Sequence, residues 1–126
     1  PVIKKITCVV DCGIVVNPTG ALNQIEGGVI DGVGYAMYGD YIFKDGKPLA
    51  NNYDRYKLIR MKEAPEVETH LIQNEFSPTG LGEPTLPPAG GAIANALKAA
   101  TGNRFYQQPY TKNPELLKVP EKEIIG

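Results

Sequence analysis

Pro78-Thr-Gly-Leu-Gly-Glu-Pro84, continuing as Thr85-Leu-Pro-Pro-Ala-Gly-Gly-Ala-Ile-Ala-Asn-Ala-Leu97, reads as a shaped loop feeding a helix. Gly80 and Gly82 permit positive φ or close approach to a ligand, while Pro84, Pro87 and Pro88 stiffen the exit and pre-set a helix start. The helix is expected to begin near Pro87 or Pro88, to trace its apolar side through Ala89, Ile93, Leu97 and Ala100, and to stop at Gly102. One carboxylate, Glu83, sits on the loop. A positioned acid beside an open pocket is a candidate general base, although the helix dipole alone favours a glutamate at such a place.

Upstream, residues 2–11 are rich in branched side chains that suit a pleated strand. Asn17-Pro18 supplies a cap followed by proline at the first helical position. Leu22, Ile25, Val29, Val33 and Ala36 then recur at spacings of three and four, which predicts a helix over about 18–38 with one buried face. Five glycines within it, among them Gly27 and Gly28, each cost about 1 kcal/mol relative to alanine, so a close contact must offset them. Tight packing is one explanation and room for a ligand beside Gln24 is the other; both can hold at different glycines. Glu26 and Asp31 read as solvated or bonded to nearby backbone.

Between the helices, Tyr41-Ile-Phe43 and the Asp45-Gly46 step predict a hairpin. Tyr53–Met61 and Glu66–Ile72 are two further expected strands, the second alternating Val67, Thr69 and Leu71 against Glu66, Glu68 and His70. His70 therefore falls on the polar face. As the sole histidine, with no ligand partner at a useful spacing, it reads as an exposed strand residue. The segment from Arg104 to Gly126, with three prolines, reads as an extended tail on the surface, and 110–126 is its outermost part. The fold class expected is α+β: a mixed or antiparallel sheet packed against two main helices, in one domain spanning 1–126.

Composition and charge exclude several classes of function. The net charge is −1, and 42% of the 126 residues are hydrophobic, so no polyanion partner is indicated. Arg55, Lys57, Arg60 and Lys62 read as a solvated strand face. No apolar run of membrane-spanning length is present. Cys8 and Cys12, on the same face of the first strand, would lie about 13 Å apart at ~3.3 Å per residue, too far for a disulfide. Two cysteines cannot supply the four ligands of an iron–sulfur cluster.

A second constellation makes the glutamate loop specific: Asp11-Cys-Gly-Ile-Val-Val-Asn-Pro18, followed by Gln24-Ile-Glu-Gly-Gly28 and Gly32-Val-Gly34. With Asn52 to Tyr56, G-L-G-E-P-T-L-P-P-A and I-A-N-A-L-K-A-A-T-G, these motifs resemble the molybdenum-binding subunit of the molybdenum hydroxylases. That family includes xanthine dehydrogenase, aldehyde oxidase and isoquinoline 1-oxidoreductase, and the beta subunits of the last are the most similar. The resemblance runs from about Ile6 to Pro109. It implies that Glu83 is the catalytic base, acting on a molybdenum-bound hydroxide, and that Gln24 lies close to a molybdopterin-type cofactor. Gly27, Gly28, Gly80 and Gly82 join Gln24 as expected cofactor contacts, and no metal ligand is expected. Free N–H groups at the second helix start could face either Glu83 or an anionic cofactor group.

The same resemblance implies an oxidoreductase that hydroxylates aldehydes or N-heteroaromatics such as isoquinoline, with water as oxygen source. It implies iron–sulfur clusters on a partner subunit, the rest of the molybdenum subunit as a further partner, and a bacterial source. The chain starts at Pro1 already in a strand, so it is expected to be a C-terminal fragment of a longer molybdopterin-binding domain, inactive and without cofactor by itself. Localisation, periplasm or cytoplasm, is left open. Two alternatives belong to other classes. One is a cofactor- or anion-binding assembly module, though a P-loop needs a lysine that Gly80 to Thr85 lacks. The other is a non-catalytic relative that keeps the fold without cofactor.

Overall fold

A computed structural model describes residues 1–116. Strand β1 (Lys5–Val10) leads into helix α1 (Pro18–Met37). A hairpin follows, β2 (Phe43–Lys44) and β3 (Lys47–Pro48), then a short 3-10 turn at Met61–Glu63, strand β4 (Glu66–Leu71), helix α2 (Leu86–Thr101) and a second 3-10 turn at Tyr110–Lys112. The class is α+β, as expected. The pair that carries the helices is parallel, however: β1 lies beside β4, with Lys5 opposite Glu66 and Val10 opposite Leu71. Antiparallel pairing is confined to the β2–β3 hairpin, whose turn takes positive φ at Asp45 and Gly46, as an Asp-Gly step favours.

The chain thus repeats one unit, strand then loop then helix. Glycines set the spacing between the two helices. A Cβ on Gly28 would stand 2.4 Å from the Thr85 hydroxyl, and one on Gly32 would stand 2.6 Å from the Ala89 Cβ and 2.8 Å from the Leu86 carbonyl oxygen. Contact therefore advances along both helices in the same direction, from Gly28 at Thr85 to Gly32 at Ala89. Beyond it Val33, Ala36 and Met37 meet Ile93 and Leu97 in the main core. A smaller core joins Val10, Cys12 and Ile25, with Cys8, Val15, Leu71 and Leu81 packed around it.

Several expectations are corrected. Leu22 is 41% exposed, because the buried face of α1 runs through Ala21, Ile25, Gly28, Val29, Gly32 and Val33. Ala100 is exposed as well. Tyr53–Met61 is not a strand: the Asn52 side chain accepts from Tyr53 N at 2.8 Å, and the Asn52 carbonyl accepts from Arg55 and Tyr56, so local turn bonds replace a ladder. The basic residues there do not form a strand face either. Lys57 is bonded to Glu63 at 2.7 Å and lies 4.8 Å from the Tyr38 ring centre. The region after Arg104 is not a surface tail as far as it is described, since Phe105, Tyr110 and Leu116 are buried in the main core. The Tyr110 hydroxyl donates to the Gly90 carbonyl and the Thr111 hydroxyl to that of Met37. The rest of the expected tail, 117–126, lies outside the described residues.

Other expectations stand. His70 is exposed, 3.1 Å from Glu68. Cys8 and Cys12 are free, and burial pushes the Cys8 thiol up. No described helix is long and apolar enough to cross a membrane.

Two predictions follow from this packing. Gly32→Ala gains about 1 kcal/mol of helix propensity but forces a methyl into backbone, at a cost of about 1–3 kcal/mol; a net loss of stability is expected in denaturant unfolding. The Lys57 ammonium, with the Arg60 amide second, holds the Glu63 carboxyl below its ordinary range. A carboxyl depressed in the folded state stabilises above the ordinary glutamate range, and that contribution is lost as pH falls through the lowered folded value. Protection factors of the amides over 50–64, taken relative to the intrinsic exchange rate at each pH, are therefore expected to fall on acidification in the wild type, and to respond less in Lys57→Met.

Candidate functional site

Because β1 and β4 are parallel, both following loops, 11–17 and 72–85, lie at the carboxyl end of the pair, where the helices begin. Open α/β sheets place ligand crevices at this end. The loops are stitched together. Ile14 N donates to the Phe76 carbonyl at 3.0 Å and Thr79 N to that of Cys12 at 2.9 Å. The Asp11 carboxylate accepts from Asn74 Nδ2 at 2.7 Å and from Gly13 N at 3.1 Å. Gly13 has φ +72°, and a Cβ there would sit 2.3 Å from the Ser77 carbonyl oxygen. The Asp-Cys-Gly motif is therefore a turn that lets the second loop close over the first.

Asn17 caps α1, its Oδ1 accepting from Gly20 N at 3.0 Å. Between this first turn and the second loop lies a cavity of about 200 Å³, walled by Cys12, Val15, Ala21, Gln24, Pro78 and Leu81 among others. None of its lining residues carries a charge.

Gln24 and the glutamate loop come together. The Gln24 amide nitrogen lies 3.6 Å from the position a Cβ would take on Gly82, so the side chain rests over that glycine. Gly27 and Gly80 each face open space and are exposed. The space over Gly28 is filled by Thr85. Glu83 is exposed and does not line the cavity. Its carbonyl accepts from Leu86 N at 3.0 Å, which closes the turn into α2. Among the described residues, no hydrogen bond or ion pair engages its carboxylate. Glu26 and Asp31 are exposed on the outer face of α1. No described cluster of three or more His, Cys, Asp or Glu side chains could hold a metal ion.

Two contacts escaped the sequence reading. Asp11 and Asn74 are 63 residues apart, and no spacing rule links them. Thr85 does stand at a helix-capping position, which flags it for a local role, yet its hydroxyl donates to the Ile25 carbonyl across the interface at 3.2 Å and makes no cap bond.

A sequence profile of the family described as "Molybdopterin cofactor-binding domain" matches residues 2–65, half of the chain. The chain belongs to this family. This molybdopterin-binding domain is 34% identical over 106 residues, 84% of its length, to a "Membrane-bound aldehyde dehydrogenase (pyrroloquinoline-quinone)" of Gluconacetobacter polyoxogenes, of which it covers 14%. It is 29% identical over 107 residues, 85% of its length, to "Isoquinoline 1-oxidoreductase subunit beta" of Brevundimonas diminuta, again covering 14%. Similarity thus extends to relatives named for an aldehyde as well as for an N-heterocycle. Quinoline 2-oxidoreductase from Pseudomonas putida 86 shares the fold, with a TM-score of 0.71 at 22% identity over 80% of this chain and 14% of that one. The chain spans about one seventh of the length of the relatives it matches.

The residues present fit one edge of a pterin cofactor. An uncharged crevice, the Gln24 amide and the open glycine surfaces at Gly27 and Gly80 suit a polar, planar ring system that is bound by hydrogen bonds rather than by ion pairing. Asn17→Ala, which removes the cap beneath this crevice, is expected to destabilise by about 1 kcal/mol in chemical denaturation.

Proposed function

We propose that this domain forms one wall of the molybdopterin site in a molybdenum-dependent oxidoreductase that hydroxylates aldehydes or N-heteroaromatics, and that Glu83 is its general base. The observation that carries the reading is the contact of Gln24 with Gly82. It places an amide donor from α1 against the loop whose next residue is an exposed carboxylate free of described side-chain partners.

When bound, the molybdenum cofactor supplies the two-electron redox chemistry, with water as the source of oxygen. The chain's own residues do the rest of what this wall contributes. Gln24 holds and orients the pterin edge through its side-chain amide. Gly27 and Gly80 let backbone approach the ring, Gly82 seats the Gln24 side chain, and Gly28 lets the second helix close in beneath. A Glu83 carboxylate oxygen accepts the proton released as the water-derived oxygen adds to the substrate carbon. Proton transfer of this kind is typically worth about 10²- to 10⁴-fold. The remaining walls would come from the rest of the molybdenum subunit, and iron–sulfur clusters on a partner subunit would serve as the electron acceptor.

Glu83→Gln keeps the size of the side chain and removes its basicity. In the complete enzyme, kcat/KM is expected to fall by about 10²- to 10⁴-fold while molybdenum content is unchanged. Turnover close to wild type would exclude the role; absence of molybdenum from the wild-type enzyme would favour a non-catalytic binding module.

A further inference from the structure

Thr85 carries the one aliphatic hydroxyl among the buried residues described, with 5% of its surface exposed. Threonine at the residue before a helix ordinarily turns its hydroxyl back to that helix's own amides. Here no such bond forms. The hydroxyl instead donates to the Ile25 carbonyl of α1 at 3.2 Å, a carbonyl whose second lone pair is available beside its intrahelical bond. On its other side the hydroxyl oxygen abuts Gly28, where even a methyl group would stand 2.4 Å away. The side chain is thus locked into a notch between Ile25 and Gly28.

The placement of that notch matters for the loop. Ile25 follows Gln24 directly, so residues 82–85 touch a single turn of α1 at both ends: Gly82 under the Gln24 amide and Thr85 on the Ile25 carbonyl. Glu83 and Pro84 arch between the two anchors, exposed, and the Leu86 N–H to Glu83 carbonyl bond at 3.0 Å closes the arch from the α2 side. Pro84 further limits the backbone. The Glu83 backbone, two residues from the Thr85 anchor, stays within about 7 Å of it.

We infer that Thr85 is the positioning residue for Glu83: its bond to Ile25, made possible by the bare Gly28, fixes the Glu83 arch relative to Gln24. The inference rests on the reading of Glu83 as base, and Thr85 itself touches neither substrate nor cofactor.

The test uses the holoenzyme and three variants. Thr85→Val keeps the shape and deletes the hydroxyl, Thr85→Ser keeps the hydroxyl, and Gly28→Ala pushes on the same oxygen from the opposite side. The first readout is amide exchange at Leu86, whose N–H closes the arch on the Glu83 carbonyl, and at Thr79, whose N–H is bonded to the Cys12 carbonyl; it needs no substrate. Thr85→Val and Gly28→Ala are expected to exchange there about tenfold faster than wild type while α2 beyond its first turn is unchanged, and Thr85→Ser is expected to match wild type. The second is turnover on the substrate used for the Glu83→Gln comparison. Thr85→Val is expected to lower kcat by about 10- to 100-fold, with KM and molybdenum content retained. Wild-type exchange in Thr85→Val overturns the inference, as does a loss of kcat that tracks lost molybdenum or faster exchange along both helices. If Glu83→Gln leaves turnover intact, the base assignment fails and the positioning role falls with it. If Glu83→Gln is inactive while Thr85→Val is normal in both readouts, only the positioning role fails.

Discussion

The structure depends on how closely two helices can approach. A two-stranded parallel pair is marginal by itself, and the Lys5 contacts to Glu66 and Glu68 on its outer face are exposed pairs of the kind that add little. What holds the chain together is the face of α1 on which Gly28 and Gly32 carry no side chain, so that Thr85, Leu86 and Ala89 of the second unit pack against its backbone. The larger core of Val33, Met37, Ile93, Leu97, Phe105 and Tyr110 lies further along the same contact. The propensity lost by placing glycine in a helix is offset by packing that any larger residue would block.

That constraint also builds the site. Parallel strands send both loops to the same end, and the close helix contact sets the second loop against the first turns of α1. The loop-to-loop bonds from Asp11, Ile14 and Thr79 then finish a crevice whose walls are neutral. Fold and site therefore share residues: Gly28 and Thr85 serve the helix interface while Gly27, next to Gly28, and Glu83, two residues before Thr85, face outward.

Periodicity made the helices legible. Asn17-Pro18 and Gly102 marked a start and a stop that hold, and the period-two pattern of 66–71 gave a strand with His70 outside. Tyr53–Met61 misled because aromatic and branched residues suit strands, while the bonds that decide its shape come from Asn52, a residue that competes for the backbone locally. The buried course of 105–116 was hidden for another reason. Its apolar residues lack a regular period, and they are buried only because a groove between two distant helices is there to receive them. The glutamine and glutamate motifs singled out Gln24 on α1 and the 78–84 loop, which the fold brings into contact. That Gln24 rests on Gly82, and that Thr85 reaches Ile25, are contacts about 60 residues apart along the chain, which only the crossover can create.

Two glutamates, Glu63 and Glu83, are held in different ways. Glu63 is held by its carboxylate, with Lys57 at 2.7 Å and the Arg60 amide at 3.0 Å, and these partners hold its carboxyl low. A group fixed in that way is well placed but poorly basic, because every donor that orients it also stabilises its charge. Glu83 is fixed by its neighbours instead: Gly82 beneath Gln24, Thr85 on Ile25, and its own carbonyl on Leu86. Among the described residues, no hydrogen bond or ion pair engages its carboxylate. Residues 82–85 thus meet one turn of α1 through uncharged contacts alone, a hydrogen bond at Thr85 and van der Waals contact at Gly82, and the crevice beside them is lined by neutral residues.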